Sequence, residues 1–515
     1  MVGRTQPINP WPGVGAAALV AALILGTLIT VALRAEAGGG FGPADWAALR
    51  FTLLQATLSA VLSAALAIPV ARALARRRFF GRRVLIALLG APFILPVIVA
   101  ILGLLQVFGR AGWISDALGF LGLPPIQIYG LHGVVLAHVF FNLPLATRLI
   151  LQGWQEIPAE RFRLAAQLGC EGLTMFRLIE LPMLRRILPG VLAVVFAICL
   201  TSFAVALTLG GGPRATTIEL AIYQAFTYDF NLGRAALLSA VQLALTAAAA
   251  LAALRFSQGD GFGAGLNRAI RRWDGGAPLL DAFWIIAAAV FLLLPLASVT
   301  ISGFAGLFEM PALVIQAAVT SILVAAASTV VLLLIALPMA TTIATGRYGI
   351  VELSGLLGLA ASPLVIGTGL FILIRPVANP TALALPVTAL VNAIMALPFA
   401  LRILVPAARD ALERHGRLAL SLNMSNKSFF MRVILLRLRP QIGFAAGLTA
   451  ALSMGDLGVI ALFADAQIAT LPLQIYRLMG AYQMQAAAGG ALLLMILSMG
   501  AFWILDRGGR WHVEA

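Results

Sequence analysis

Long apolar stretches alternate along the chain with short segments rich in arginine and glycine. A helix of about 20 apolar residues is long enough to cross the hydrocarbon part of a bilayer. The pattern therefore predicts an all-α polytopic membrane protein with about 12 transmembrane helices, six in each half. In the first half they cover residues 14–33, 51–74, 84–108, 131–151, 187–209 and 233–254, and in the second half residues 279–300, 312–340, 351–374, 381–401, 442–463 and 486–505.

Prolines interrupt several of the predicted spans. Pro92 and Pro96 fall inside the third span, where each removes a hydrogen bond of the helix. In a membrane the freed backbone groups are tolerated only against protein or a water-lined cavity, so we expect the third span to border a path of that kind. Pro144 is expected to kink the fourth span, and Pro363 repeats the setting of Pro96 in the second half.

Small and polar residues interrupt the apolar sequence of the fifth span, at Thr201, Ser202 and Ala204. Such residues either let helices approach closely or line a pore, and close packing is the commoner use. The candidate residues for the transport path or its gate are Pro96, Pro144, Ser202, Phe203, Pro398 and Asp456.

A polar segment between the fourth and fifth spans predicts a helix, a turn and a second helix outside the bilayer. Pro158 suits the first position of a helix, and Glu160 places an acid where the helix dipole favours it. From that start Phe162, Ala165, Ala166 and Gly169 fall on one face. Gly169 suits the left-handed position after a helix end, and a second helix over residues 171–181 is expected to stop at Pro182.

The two halves of the chain repeat one another. The sequence Leu143–Arg148 recurs as Leu397–Arg402, and the same shift of 254 residues relates Ala165 to Ala419. An internal duplication with an even number of spans in each copy predicts two parallel halves related by a pseudo-twofold axis along the membrane normal. We expect a first repeat over residues 1–254, a cytoplasmic linker over 255–276 and a second repeat over 277–515.

The second copy of the polar segment, near residues 414–423, departs from the first. Asn423 replaces Gly169, and asparagine also tolerates the left-handed conformation, so the turn is expected to survive. Leu436 replaces Pro182, which is expected to let the following helix continue. If both segments dock a partner, the two contacts should therefore be unequal.

Composition and charge support the membrane assignment. The chain is 61% hydrophobic and 11% charged, which lies outside the range of soluble proteins. Its formal net charge is +15, but the arginines lie in short loops instead of forming one basic face, which argues against a nucleic-acid partner. Arginine-rich loops stay in the cytoplasm, so we expect both termini to be cytoplasmic. The first apolar run, residues 14–33, is longer than the core of a signal peptide, so we expect it to be retained as a span.

The sequence carries no pattern for catalysis, a cofactor or a metal. The two cysteines and four histidines lack the spacing of metal ligands. A nucleotide-binding GxxxxGK[ST] motif is also absent from the sequence, so any ATP hydrolysis is expected on a separate subunit. Asp456 is the one clear ionisable candidate inside a span, where it should face a cavity or a partner; a structural hydrogen bond is the alternative.

The polar segment resembles the cytoplasmic loop signature of ABC importer permeases. The matching residues are Ala165, Ala166, Gly169, Ile179, Leu181 and Pro182, whereas Leu164 stands where that family has glutamate. The resemblance implies that this segment and its second copy bind a cytoplasmic ATPase. The residues expected to contribute to the coupling are Glu160, Ala165, Ala166, Gly169, Arg414, Ala419 and Asn423.

Three longer segments, at residues 140–149, 209–225 and 455–463, are similar to the fused permease of bacterial thiamine and thiamine pyrophosphate importers. This resemblance implies alternating access in the inner membrane and a substrate of the thiamine class. It also implies a periplasmic binding protein and two copies of the ATPase as partners, besides membrane lipid. The thiazolium ring of such a substrate would suit the aromatic faces of Phe203, Tyr223 or Tyr476, although such residues more often pack. A ferric-iron importer and a proton-coupled secondary transporter remain the alternatives.

Overall fold

The computed structural model describes residues 8–35, 40–90, 94–170, 172–212, 215–256, 278–346, 348–464 and 468–510. Helices are the only regular secondary structure in these ranges. Within them, 11 helices are long and apolar enough to cross a membrane, or up to 12 if a bent pair counts as one span. The predicted fold class, an all-α polytopic membrane protein, is confirmed.

The first half contains twelve α-helices and one π-helical segment in its described part. They are α1 Trp11–Arg34, α2 Pro43–Arg76, α3 Arg82–Leu88, α4 Val97–Phe108, α5 Trp113–Phe120, α6 Leu131–Glu156, α7 Ala159–Gln167, α8 Gly172–Met175, the π-helix Phe176–Glu180, α9 Leu181–Leu200, α10 Phe203–Leu209, α11 Ile218–Thr227 and α12 Leu232–Phe256.

The second half follows in the same order. Its helices are α13 Pro278–Gly306, α14 Ala312–Ala344, α15 Gly349–Ala360, α16 Pro363–Ile374, α17 Ala384–Ser421, α18 Asn426–Phe429, the π-helix Phe430–Ile434, α19 Leu435–Arg437, α20 Arg439–Met454, α21 Gly458–Phe463, α22 Leu471–Gly480 and α23 Met484–Arg510. The predicted linker lies outside the described residues, apart from the two residues that end α12.

The third span of each half is broken where the prolines predict it. Pro96 precedes α4 with an extended backbone, whereas Pro92 lies outside the described residues. Pro363 is the first residue of α16, and the Ser362 side chain accepts a hydrogen bond from the Val365 N–H. The two helical pieces of this span, Gly349–Leu359 and Pro363–Ile374, meet at an angle of 97°. By contrast, α6 continues through Pro144.

The two halves share a π-helical turn at the same register. The segments Phe176–Glu180 and Phe430–Ile434 are separated by the same 254 residues that relate the repeated sequences. In each, a backbone N–H bonds a carbonyl five residues earlier, from Leu181 to Phe176 and from Leu435 to Phe430. A wide turn shared by two otherwise diverged sequences supports a common origin of the halves.

Both expectations about the helix after this turn are wrong. Pro182 does not stop a helix, because it lies in the first turn of α9, where the missing N–H is tolerated. In the second half Leu436 does not let the helix continue, because α19 ends at Arg437 and α20 begins at Arg439. Pro440 follows at the start of α20 and has no N–H to extend α19.

The polar segment at residues 158–169 and its second copy at residues 412–423 are called the coupling segments below. They also differ in their connection to the preceding span. In the first half α6 ends before Pro158, and α7 begins as a separate helix. In the second half α17 continues for 38 residues from the membrane to Ser421. Leu412 occupies the position equivalent to Pro158, so the backbone keeps the N–H that a continuous helix requires.

The first helix of each half packs against the other half. A Cβ atom built on Gly369 of α16 would lie 2.7 Å from the Thr27 Cβ of α1. In the opposite direction, one built on Gly103 of α4 would lie 2.5 Å from the Pro295 carbonyl oxygen of α13. These two glycines permit the same close crossing twice, so the two halves are interlocked through α1 and α13.

Candidate coupling surface and translocation path

The first coupling segment turns its alanine face inward. In α7, Phe162 and Ala165 are buried and Ala166 is half-buried, whereas Glu160 and Gly169 are exposed. In the second copy Ala419 is buried. The predicted face is therefore divided, because Phe162 and Ala165 anchor the helix to the protein and only Gly169 at its end is exposed.

Exposed leucines define the outer face of both coupling segments. Leu164 and Leu168 are 58% and 71% exposed, and their repeats Leu418 and Leu422 are 57% and 63% exposed. A shift of 254 residues relates the members of each pair. The same two exposed apolar positions are thus presented on both segments. We call these four residues the leucine patches.

The turn after each leucine patch has the predicted left-handed residue. Gly169 has φ of +68° and Asn423 has φ of +49°. The two turns close with the same pair of hydrogen bonds, including one of 2.9 Å from the Cys170 N–H to the Ala165 carbonyl and one of 2.9 Å from the Met424 N–H to the Ala419 carbonyl. The prediction that Asn423 preserves the turn is confirmed.

Ion pairs fix the loops around the first coupling segment. Arg72 Nε donates to Glu180 Oε2 over 2.6 Å, and the Glu180 side chain is completely buried. Arg77 Nε donates to Asp281 Oδ2 over 2.8 Å, which joins α2 to α13 of the other half. Arg414 in the second coupling segment pairs with Asp410 over 2.8 Å, but both side chains are exposed. Some arginines predicted only to orient the chain are thus also structural.

Four of the candidate path residues meet at the breaks in the spans. A Cβ atom built on Gly455 would lie 3.2 Å from the Pro96 Cα, so the third span of the first half touches the break between α20 and α21. One built on Gly458 would lie 3.7 Å from Phe203 Cδ1 and 3.7 Å from Asp456 Oδ1. Ser202 lies at the corresponding break between α9 and α10.

Ser202 and Asp456 occupy equivalent positions in the two halves, separated by 254 residues. Ser202 Oγ lies 2.7 Å from His138 Nε2. Asp456 Oδ1 instead accepts a hydrogen bond of 3.2 Å from the Gly458 N–H at the start of α21. A neutral polar residue in one half is therefore replaced by a carboxylate in the other.

The remaining two candidates lie elsewhere. Pro144 and Pro398 are buried within the continuous helices α6 and α17. A Cβ atom built on Gly358 of α15 would lie 3.5 Å from Pro398 Cγ, so this proline packs against the broken third span.

A buried polar network was missed in the sequence. In the first half His138 Nδ1 lies 3.2 Å from Ser59 Oγ. In the second half Asn392 Nδ2 donates to Ser453 Oγ over 3.0 Å, and Ser328 Oγ lies 2.9 Å from the same hydroxyl. Because Asn392 follows His138 by 254 residues, the repeat spacing applied to polar residues would have found it.

A second buried acid was also missed. Glu219 of α11 is 1% exposed and accepts a hydrogen bond of 3.0 Å from Gln242 Nε2. Glu219 is thus more completely buried than Asp456, which is half-buried. Glu219 lies in a short helix between two spans, where the hydropathy pattern predicts an exposed loop.

Two broken, interlocked six-span halves with a polar centre and two exposed leucine patches are the architecture of a permease, a membrane transport protein. Comparison with known proteins places it further: the chain belongs to the family of thiamine transport system permease proteins. It is 40% identical to the ThiP protein of Salmonella typhimurium over 98% of both chains. It is 39% identical to that of Brucella abortus over 98% of this chain and 96% of the relative. A scan against protein-family models gives no match.

Proposed function

We propose that this chain is the membrane-spanning subunit of an ATP-driven importer that moves thiamine or thiamine pyrophosphate into the cytoplasm by alternating access. The observation that carries the proposal is the match to thiamine transport permeases over 98% of the chain. The ferric-iron alternative is not favoured, because the relatives with this coverage are named as thiamine permeases.

The proposed energy source is a separate ATPase, bound in two copies at the two leucine patches. The four leucines are more than half exposed, and the sequence lacks a GxxxxGK[ST] motif of its own. Closure of the ATPase dimer would move the two coupling segments together and carry the attached spans with them. A periplasmic binding protein would deliver the substrate on the opposite side.

The orientation follows from the arginine-rich loops. We propose that both termini and both leucine patches lie in the cytoplasm of a cell with this protein in its inner membrane. The proposed division into repeats at residues 1–254 and 277–515, joined by a cytoplasmic linker, places the two patches on the same side.

Reconstitution tests the proposed function directly. Proteoliposomes that contain the chain with its ATPase and its thiamine-binding protein should accumulate labelled thiamine when ATP is supplied. The chain alone should accumulate none. Accumulation by the chain alone that a proton uncoupler abolishes would establish the secondary-transport alternative.

Replacing Gly169 by arginine should uncouple ATP hydrolysis from uptake. Nothing lies within 4 Å of a Cβ atom at this position, so the side chain itself fits. The φ of +68° costs a residue with a side chain roughly 1–2 kcal/mol, which distorts the turn beside Leu168. The measurement is thiamine uptake per ATP hydrolysed in proteoliposomes, with membrane insertion checked by gel filtration.

The matched control is Gly169→Asn, which copies the residue of the second half. Because Asn423 adopts φ of +49° in the equivalent turn, Gly169→Asn should keep most of the uptake. Equal uptake by the arginine variant and the wild type would refute a docking role for this turn.

A further inference from the structure

Aromatic rings from both halves converge beside the break that carries Asp456. The ring centroids of Phe203 and Tyr223 are 5.2 Å apart, and those of Tyr223 and Tyr228 are 5.9 Å apart. Tyr476 comes from α22 of the second half and packs against the hydrophobic cluster that contains Phe203 and Tyr223. The cluster thus spans the interface between the two halves.

The tyrosines of this cluster stay uncharged at physiological pH. Burial is the main cause that raises the pKa of Tyr223 to about 12, and the neighbouring hydroxyls of Tyr228 and Tyr476 add to it. Burial, followed by Tyr228, also raises the pKa of Tyr476. The cluster therefore offers neutral rings, whose faces attract a cation through the ring quadrupole.

Asp456 adds a negative charge next to these rings. A Cβ atom built on Gly458 would lie 3.7 Å from Phe203 Cδ1 and 3.7 Å from Asp456 Oδ1, so the ring and the carboxylate flank the same glycine. The carboxylate accepts the Gly458 N–H through Oδ1 and also interacts with the N–H groups of Val459 and Ile460 at the same helix start. By hydrogen-bond geometry, Oδ2 is shielded from solvent and has no partner among the described residues. A helix cap needs only the first oxygen. Shielding a carboxylate oxygen from water costs free energy unless a positive group lies beside it, so we expect a positive partner at Oδ2.

Neutral aromatic faces beside a carboxylate are the chemistry that recognises an organic cation with delocalised or quaternary charge. A metal cation would instead require several oxygen ligands, and the described residues contain no cluster of three potential metal-binding side chains. A purely structural cluster would account for the ring packing but not for the free carboxylate oxygen.

We propose that Phe203, Tyr223, Tyr476 and Asp456 form a site in the permease that binds the cationic ring of the substrate, a quaternary heteroaromatic nitrogen compound, during transport. This inference rests on the proposed function. Phe203 and Tyr223 belong to the first half and Tyr476 and Asp456 to the second, so the cation enters when the halves move apart and open a gap between these two pairs. The Asp456 carboxylate then balances its charge.

Uptake by the complete transporter in proteoliposomes tests this site, with labelled thiamine as the probe. Tyr223→Leu removes a ring and should lower the ratio of thiamine moved to ATP hydrolysed by roughly 2- to 30-fold, the value of one cation–π contact. Tyr223→Phe keeps the ring and should restore most of that ratio. The matched control is Phe226→Leu on the same helix, because Phe226 instead packs against Phe371 at 4.4 Å.

Two neutral variants test the carboxylate. Asp456→Asn and Asp456→Ser, which copies the first half at Ser202, should each lower the ratio by about 30-fold or more. Gel filtration and ATP hydrolysis stimulated by the binding protein identify a variant that has failed to fold. If one of the two Asp456 variants fails to fold, the ratio measured for the other tests the carboxylate. Wild-type ratios in the folded Asp456 variants or in Tyr223→Leu would overturn the site.

The neutral thiophene analogue of thiamine, added as a competitor, separates charge from shape. It should compete less well with thiamine uptake in the wild type than in Asp456→Asn; equal competition in both would overturn the role of the carboxylate. Failure of the wild-type complex to take up thiamine at all would instead reject the proposed function.

Discussion

The double substitution Leu164→Asp/Leu168→Asp is expected to abolish ATP-driven uptake while leaving the permease folded. Both leucines are more than half exposed, so the change removes no core contact. Burying two leucine side chains against a partner contributes roughly 3–6 kcal/mol, and two carboxylates would add a desolvation cost. ATPase affinity should therefore fall by at least about 100-fold. Co-purification of the ATPase and uptake in proteoliposomes measure the effect.

The matched control is Leu121→Asp in the loop after α5. Leu121 is 75% exposed, but this loop precedes α6 whereas the leucine patch follows it, so the two lie on opposite sides of the membrane. The control should leave ATPase binding unchanged. The equivalent change at Leu418 and Leu422 should also weaken binding, by a different amount, because α17 presents that patch on a continuous helix. Normal ATPase binding by the Leu164/Leu168 variant would contradict the docking surface.

The substitution Arg72→Thr is expected to destabilise the folded permease by about 3–5 kcal/mol, the usual cost of removing one partner of a buried ion pair. It removes the guanidinium that lies 2.6 Å from the completely buried carboxylate of Glu180. The measurement is the thermal unfolding midpoint of the purified protein in detergent, together with its yield from membranes.

The second half supplies the compensating change. In the repeat, Thr341 is equivalent to Arg72, by the same shift of 269 residues that relates Pro69 to Pro338. Ile434 is equivalent to Glu180 by the shift of 254 residues. Ile434 is buried, so an apolar side chain fills the equivalent position. The double variant Arg72→Thr/Glu180→Ile should therefore regain most of the stability lost in Arg72→Thr.

An exposed ion pair provides the control for this cycle. Arg414→Ala removes a pair whose side chains are both more than half exposed. Exposed pairs at helical spacing contribute about 0.3–0.5 kcal/mol, so the unfolding midpoint of the Arg414→Ala variant should barely change. An Arg72→Thr variant as stable as Arg414→Ala would show that the buried pair is not required.

Most of the spans could be located from hydropathy, because the bilayer imposes a length that a local pattern can satisfy. The third span of the first half was misplaced, because it was predicted over residues 84–108 and the candidate span covers Val97–Phe120. The breaks at Pro96 and Pro363 were equally local, since proline removes a hydrogen bond in any helix. The course of the chain around Pro182 and Leu436 was not, because a π turn upstream and Pro440 downstream decided it. Neither effect can be read from Pro182 or Leu436 alone.

The candidate sites divide in the same way. Gly169 and Asn423 were predictable because a left-handed backbone selects glycine or asparagine directly. Ala165 suggested an outward docking face, but Phe162 beside it is apolar and bulky, and burying it turns that face inward. The exposed leucines were then overlooked, because an apolar residue in a helix is normally assigned to the core.

By itself, the sequence determined that this chain is a duplicated, helical membrane protein with two coupling segments, because span length, repeat spacing and turn residues are properties of consecutive residues. Only the tertiary structure decided which residues from distant spans meet. In that structure Phe203 lies near Asp456, α1 and α13 each pack against the other half, and Arg72 pairs with Glu180. Such contacts depend on how helices cross, and helix crossing is fixed by the shapes of both partners at once.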